Sequence, residues 1–183
     1  MECIRFRVQD LDFERKLLYI RAAKGNKDRT TILPKSIHQE MRHQLEEVQR
    51  IHDKDLAQGY GSVFLPEALS RKYPHAAKEY RWQYVFPAKR RSVDPRSGVE
   101  QRHHVLESVL QKAVKLAVDR AGITKRVGCH TFRHSFATHM LEDGINIRVV
   151  QELMGHADVK ATEIYTHVME KDITSIWSPL DSI

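Results

Sequence analysis

Residues 130–140 read HTFRHSFATHM, and residues 155–168 follow with GHADVKATEIYTHV. Together they place His130, Arg133, His156 and Tyr165 in a fixed order within 36 residues. Basic side chains can stabilise a charged pentavalent phosphorus, and a tyrosine hydroxyl can attack that phosphorus. The pattern therefore predicts phosphoryl transfer by a tyrosine nucleophile.

Each of these side chains suits one part of such a site. Residues 130 and 133 share a helix face at i, i+3, so both can reach one phosphate. Arg133 offers parallel donors and stays charged, whereas His130 can relay the tyrosine proton. Two alternatives remain open here: Tyr165 as a partly buried core tyrosine, and His156 as a partner of a helix C-terminal dipole.

A zinc site is the other chemistry that the histidines suggest. His130, His134 and His139 lie close in sequence, but the intervening residues include Arg133 and no H-E-x-x-H motif. A catalytic glutamate between two histidines is typical of metalloprotease helices, and a cation beside a metal is repulsive. We therefore predict no metal.

Bulk composition favours a globular chain that binds a polyanion. The 183 residues carry a net charge of +6 with a pI near 9.4, which favours nucleic acid as partner. The cysteines, Cys3 and Cys129, form no C-x-x-C pair, as in a reducing compartment. No apolar run reaches the length of a membrane span, and the first residues do not resemble a signal peptide.

Periodicity predicts an α+β fold, with a small three-stranded antiparallel sheet at one edge of a mainly helical body. The strands are expected at residues 4–9, 16–22 and 29–34, with a KGNKD turn between the last two. Lys24 in that turn is a candidate proton donor, and Lys27 and Arg29 are its rivals or phosphate contacts. The alternative for Lys24 is a solvated turn lysine.

Helical periodicity follows Pro34 and returns several times later in the chain. The first helix has Ile37, Met41, Leu45 and Val48 on one face, and a short helix is expected at 67–71. The remaining helices are expected at 104–121, 131–143, 146–154 and 162–168. Gly122 is the expected stop of the first of these, and the third is expected to begin at Asn146 as N-cap and to end before Gly155. In the helix at 104–121 the residues expected to point inward are Val105, Val109, Ala113, Leu116 and Ala117.

The motif HTFRHSFATH, followed by LMGHADVKATEIYTHV, resembles the signature of the tyrosine site-specific recombinases. The hairpin KGNKDR at 24–29 is similar to the hairpin that carries their catalytic lysine, and the resemblance covers essentially the whole chain. It implies that Tyr165 forms a 3′-phosphotyrosyl link to DNA, Arg133 clamps the scissile phosphate and Lys24 protonates the leaving 5′-oxygen. His130 and His156 would stabilise the transition state, without metal or other cofactor.

A narrower resemblance, to the integron integrases that capture gene cassettes, rests on residues 65–105 and on the terminal SPLD. It implies an insert at 66–98 within a catalytic domain at 1–183. The implied partners are an integron attachment site, a folded single-stranded cassette site and a homotetramer on DNA in the bacterial nucleoid. Local composition supports such binding, because the aromatic rings of Tyr73, Tyr80, Trp82 and Tyr84 can stack on bases and the basic side chains can contact phosphates. With the two hairpin cations, the predicted DNA contacts are Lys27, Arg29, Arg81, Trp82, Lys89, Arg90 and Arg91. Alternatively, the insert aromatics pack against the body.

The chain departs from the family pattern at its start. The family has a further catalytic arginine three residues before a glutamate that matches Glu2, and an N-terminal DNA-binding domain before that. Neither stands in this sequence, so we expect a monomeric, impaired enzyme as the isolated chain. The apolar tail residues Ile173, Ile176 and Trp177 are expected to fold back or to dock on a neighbouring subunit. Alternatives are a non-catalytic DNA-binding remnant and a type IB topoisomerase-like nicking enzyme.

Overall fold

The computed structural model of the chain describes residues 2–21 and 28–155. It divides into two compact units, Met1–Ile123 and Thr124–Ile183. The predicted tyrosine helix at 162–168 and the tail lie outside the described residues, as do Lys24, Lys27, His156 and Tyr165.

The first unit contains the predicted three-stranded antiparallel sheet, in the order β1 (Leu11–Asp12), β2 (Leu17–Ile20) and β3 (Arg29–Ile32). Leu18 pairs with Leu11 on one side and with Thr31 on the other. The α+β class is therefore confirmed.

The prediction of a strand at 4–9 was wrong, because two 3₁₀ turns, Glu2–Arg5 and Val8–Asp10, occupy that stretch. Arg7 makes an isolated antiparallel bridge to Tyr84, and the Asp10 carboxylate accepts a hydrogen bond from the Arg7 backbone N–H, which closes a turn instead of extending the ladder. The alternation of apolar and basic residues has another cause, since the Arg7 guanidinium is held inside the unit rather than in solvent.

Helix α1 (His38–Ala57) follows Pro34 as predicted, after a 3₁₀ turn at Lys35–Ile37. Its most buried positions are Val48, His52 and Asp55, spaced as one helix stripe. Ile37 precedes the helix and is 41% exposed, so its predicted place on the inner face was wrong. Two of the three deeply buried positions of this helix are thus polar.

Downstream, α2 (Glu67–Lys72) confirms the short predicted helix. Two 3₁₀ turns, Ala76–Lys78 and Tyr80–Trp82, and a hairpin of β4 (Ser92–Val93) with β5 (Glu100–Gln101) follow. A core cluster joins Val63 and Leu65 to Ala76 and Tyr84. Part of the predicted insert therefore belongs to the hydrophobic core of this unit.

Helix α3 (Glu107–Arg120) ends two residues before Gly122, whose positive φ of 65° supports the predicted stop. Its predicted inner face was wrong, because Val109 and Leu116 are each 50% exposed. The half-buried apolar side chains are Leu110, Val114 and Val118. The helix is apolar on two adjacent stripes, so periodicity alone does not determine which one packs.

The second unit contains α4 (Cys129–Glu142) and α5 (Ile147–Met154). Asn146 caps α5 as predicted, since its side-chain oxygen accepts from the Arg148 N–H at 2.8 Å. The two helices pack through a buried cluster of Ala137, Leu141, Val150 and Met154. This packing fixes the face of α4 that carries the H-x-x-R motif relative to the end of α5.

Candidate functional site

His130 and Arg133 lie one turn apart in the first half of α4, as the sequence predicts. His130 is exposed and Arg133 is half-buried. The Arg133 Nη2 donates to the backbone carbonyl of Met154 at the end of α5, at 2.5 Å. Of the predicted catalytic set, these two residues are the described members. His156, Tyr165 and Lys24 lie outside the described residues, and their roles stay predictions.

The base of the hairpin that carries Lys24 is held by ion pairs. Arg29, the first residue of β3, donates through Nη1 and Nη2 to the two carboxylate oxygens of Glu2, at 2.9 and 2.5 Å. Arg21, which follows β2, contacts Asp10 at 2.8 Å and Asp28 at 3.6 Å. Arg29 is thus part of a largely buried ion pair, and its role as a DNA contact stays a prediction.

The predicted insert is anchored to the body by Arg7. Its guanidinium donates to the carbonyls of Trp82 and Phe64, at 2.6 and 2.8 Å, and lies 4.5 Å from the centre of the Tyr84 ring. Burial lowers the pKa of Arg7, and the nearby Tyr84 and Asp10 oppose that shift. The Tyr80 hydroxyl donates to the Leu45 carbonyl at 2.8 Å. These contacts favour the packing alternative for Tyr80 and Tyr84.

A second anchor is the carboxylate of Asp55 on α1, which is 2% exposed. It accepts from Arg102 Nε and Nη2 at 2.6 and 2.8 Å, and from Arg91 Nη1 at 2.7 Å. Burial alone would raise the pKa of Asp55, but the hydrogen bonds from Arg102 and Arg91 outweigh it and lower the pKa. Arg91 also stacks on Tyr60, with its guanidinium carbon 3.9 Å from the ring centre.

Asp94 organises the β4–β5 hairpin in the same manner. Its buried carboxylate accepts from the Arg96 side chain at 2.9 and 3.0 Å and from Gln101 Nε2 at 2.8 Å. The hydrogen bonds from Arg96 lower the pKa of Asp94 to about 2. No sequence motif indicated either set. Asp55 meets Arg91 and Arg102 from 36 and 47 residues away, and the burial of Asp94 is not visible from its spacing to Arg96.

We predict an acid-sensitive contribution of Asp94 to stability. Because its pKa is lowered to about 2, its stabilisation is complete above the ordinary carboxyl value and is lost as pH falls towards 2. Urea unfolding between pH 5 and pH 2 should show a steeper acid loss in the wild type than in Asp94→Asn. The exposed Asp119→Asn should keep the wild-type slope, and an unchanged slope in Asp94→Asn would contradict the prediction.

The exposed cations of the insert are distinct from the anchoring ones. Lys89 and Arg90 are exposed, and Arg81, also exposed, pairs with Glu79 at 2.5 Å. Trp82 is half-buried, with its indole nitrogen enclosed and without a partner among the described residues. The DNA-contact role of all these residues, and of Arg91, stays a prediction.

Among residues 2–21 and 28–155, no three or more His, Cys, Asp or Glu side chains form a group able to hold a metal ion. No helix in this part of the chain is long and apolar enough to cross a membrane.

Known proteins resemble this chain over a length that includes both the H-x-x-R helix and the hairpin. The model of the phage integrase family matches residues 1–172. The chain belongs to the phage integrase family. The integrase/recombinase of Escherichia coli is 47% identical over 182 residues, which cover 100% of this chain and 54% of that protein. Tyrosine recombinase XerA of Pyrococcus furiosus is 31% identical over 172 residues, 94% of this chain and 46% of that protein.

The folds of solved recombinases agree with this family assignment. The crystal structure of XerA recombinase superposes with a TM-score of 0.60 at 25% identity, over 91% of this chain and 47% of that chain. XerH recombinase bound to difH substrate gives a TM-score of 0.59 at 23% identity, over 97% of this chain and 41% of that chain, which bears on the fold alone. The chain, a member of the phage integrase family, spans about half the length of the curated relatives it matches.

Proposed function

We propose that this chain is the catalytic part of a tyrosine recombinase that cleaves and rejoins DNA at specific sites through a 3′-phosphotyrosyl intermediate. The observation that carries the proposal is the H-x-x-R pair on one face of α4, with Arg133 oriented by the end of α5 immediately before His156. Arg133 would clamp the scissile phosphate, while His130, His156 and Lys24 would manage its charge and protons. Tyr165 would be the nucleophile.

The proposed reaction requires neither metal nor nucleotide. The tyrosine hydroxyl gives its proton to a base such as His130 as its oxygen attacks the phosphorus, the bond to the 5′-oxygen breaks, and the departing oxygen takes a proton from Lys24. The phosphotyrosyl bond retains the energy needed for a 5′-hydroxyl of another strand to reverse the step. Rejoining then releases the tyrosine.

A suicide substrate tests this function directly. A duplex nicked close to the cleavage position loses its short 5′-hydroxyl fragment, so covalent protein–DNA product accumulates even when cleavage is slow. Trapped product from the unmodified chain supports the recombinase. Binding without any adduct would favour a DNA-binding remnant instead, and relaxation of supercoiled plasmid without site preference would favour topoisomerase-like nicking.

We further propose that residues 66–98 act as an integron-type insert that holds a folded single-stranded cassette site, within an assembly of several subunits on DNA. Support comes from the two different environments of its basic side chains. Arg91 and Arg96 are tied to Asp55 and Asp94, which fixes the segment, whereas Lys89 and Arg90 remain at the surface. The 47% identity to the E. coli integrase/recombinase also runs through this segment.

Replacing the exposed cations Lys89 and Arg90 should weaken DNA binding and leave the cleavage reaction itself unchanged. We expect Lys89→Ala/Arg90→Ala to lower the slope of log affinity against log salt by roughly 2, one for each phosphate contact. A titration of a labelled hairpin oligonucleotide at several salt concentrations measures this slope. The control Lys112→Ala/Lys115→Ala removes the same charge from the exposed side of α3. An equal slope change in both double variants would show a general effect of charge and would contradict a specific DNA contact by Lys89 and Arg90.

The tail gives a separate prediction about assembly. Deleting residues 175–183 should reduce cooperative synapsis of two DNA sites more than binding to a single site, because apolar side chains there are expected to dock on a neighbouring subunit. Gel shift on one-site and two-site DNA measures the two quantities. Equal loss of both, or loss of neither, would remove the case for a subunit-linking tail.

A further inference from the structure

Helix α5 ends in a left-handed turn at Gly155, with φ 67° and ψ 35°. The N–H of Gly155 bonds back to the carbonyls of Gln151 and Glu152, which closes the last turn. Glycine adopts this conformation without steric cost, asparagine tolerates it, and a β-branched residue is strongly strained there. The residue type at 155 therefore controls how the backbone leaves the helix.

The carbonyl of Met154 is one of the helix-end acceptors that have no N–H partner within α5 itself. The Arg133 Nη2 occupies it. The Met154 side chain is 4% exposed and packs in the cluster that joins α4 to α5. The carbonyl is consequently held on a backbone that the core of this unit already fixes.

A guanidinium has five N–H donors in one plane. The Met154 carbonyl engages Nη2 of Arg133, and no other described residue provides an acceptor for this side chain. One point of attachment on a planar group restricts rotation about the long side chain and leaves the other donors without an acceptor in the part of the chain that the structure describes. Those donors retain the geometry for paired contacts to phosphate oxygens.

We propose that the C-terminus of α5 is a positioning element for Arg133. The Met154 carbonyl sets the guanidinium plane, and Gly155 supplies the left-handed turn that keeps the carbonyl directed at Arg133. The Gly155 N–H and the Met154 carbonyl share one peptide plane, so the bonds of that N–H to Gln151 and Glu152 also hold the carbonyl direction. Both are positioning residues, since they act through Arg133. The consequence for DNA cleavage rests on the function proposed above, whereas the orientation of Arg133 is a property of the unit itself.

Three substitutions at Gly155 and one at Gly144 test the proposal, with Arg133→Lys as reference. Gly155→Val forces a strained side chain into the turn, Gly155→Ala does so more mildly, and Gly155→Asn tolerates the conformation. The matched control is Gly144→Val, because Gly144 has φ 80° after α4 and its N–H bonds to the Leu141 carbonyl without contact to Arg133. Circular dichroism melts select the variants that fold, and Gly155→Ala replaces Gly155→Val if the latter does not.

The first readout is the arginine side-chain signal in ¹⁵N NMR of the chain without DNA, assigned by its loss in Arg133→Lys. We expect a separate Nη signal for Arg133 in the wild type, Gly155→Asn and Gly144→Val, because hydrogen bonding slows rotation of the group. The signal should broaden or average in Gly155→Val. An averaged signal in the wild type, or an unchanged one in Gly155→Val, would overturn the proposal.

The second readout is single-turnover cleavage of the suicide substrate at saturating DNA. Loss of an oriented donor typically costs ~10²–10³-fold, so Gly155→Val should approach Arg133→Lys, with Gly155→Asn and Gly144→Val within about threefold of wild type. Gly155→Val combined with Arg133→Lys should be no slower than Arg133→Lys alone. Additive losses would overturn the proposal. If the wild type cleaves no DNA, the proposed function fails, and the NMR result alone decides the orientation of Arg133.

Discussion

Tyr165→Phe is expected to abolish covalent attachment to DNA, while binding affinity stays within about threefold of wild type. The substitution removes one oxygen atom, and in the proposed reaction that atom forms the bond to phosphorus. Losing a nucleophile without a substitute lowers turnover by on the order of 10⁴-fold or more. In a trapping assay no adduct would then be detected. Denaturing gels after incubation with a labelled suicide substrate measure the adduct.

The control for this prediction is Tyr73→Phe. Tyr73 is 45% exposed and lies in the first unit, so it can lose its hydroxyl without loss of core packing. It should form adduct at the wild-type level. An adduct that persists in Tyr165→Phe would show that another nucleophile attacks the phosphorus, and the assignment of Tyr165 would then be wrong.

The second large effect is expected at Asp55. Replacing it with alanine leaves the guanidinium groups of Arg91 and Arg102, which are 21% and 13% exposed, without the carboxylate between them. Breaking a buried ion pair by removing one partner costs about 3–5 kcal/mol, and partial solvation of the two arginines places the expected loss at the lower end, about 3 kcal/mol. Urea unfolding of the chain at neutral pH measures this free energy.

Asp53→Ala is the matched control on the same helix. Asp53 is exposed, and among the described residues its hydrogen-bond donor is Gln49 at 2.7 Å, so its loss should change the free energy of unfolding by less than about 0.5 kcal/mol. A further variant, Asp55→Leu with Arg91→Met and Arg102→Met, should recover much of the stability, because it removes the stranded charges as well. Asp55→Ala at wild-type stability would contradict the anchoring role.

The sequence predicted the features whose causes are local. Asn146 and Gly155 mark the two ends of α5, because capping and the left-handed turn depend on a few neighbouring residues. His130 and Arg133 fall on one face of α4 because their spacing matches the helix period. The family resemblance rested on the same short motifs, and the match of the family model over residues 1–172 confirmed it at that level.

The tertiary structure decided which polar groups are buried and where they bind. Arg7 reaches acceptors 57 and 75 residues away, and Asp55 meets Arg102 from 47 residues away. No local pattern distinguishes these arginines from solvated ones, and for that reason residues 4–9 resembled a half-buried strand. For a related reason the sequence did not determine which face of α3 packs inward, since two apolar stripes satisfy the helix period equally. Burial of a charge and the choice between stripes depend on partners from distant parts of the chain, which become neighbours only when it folds.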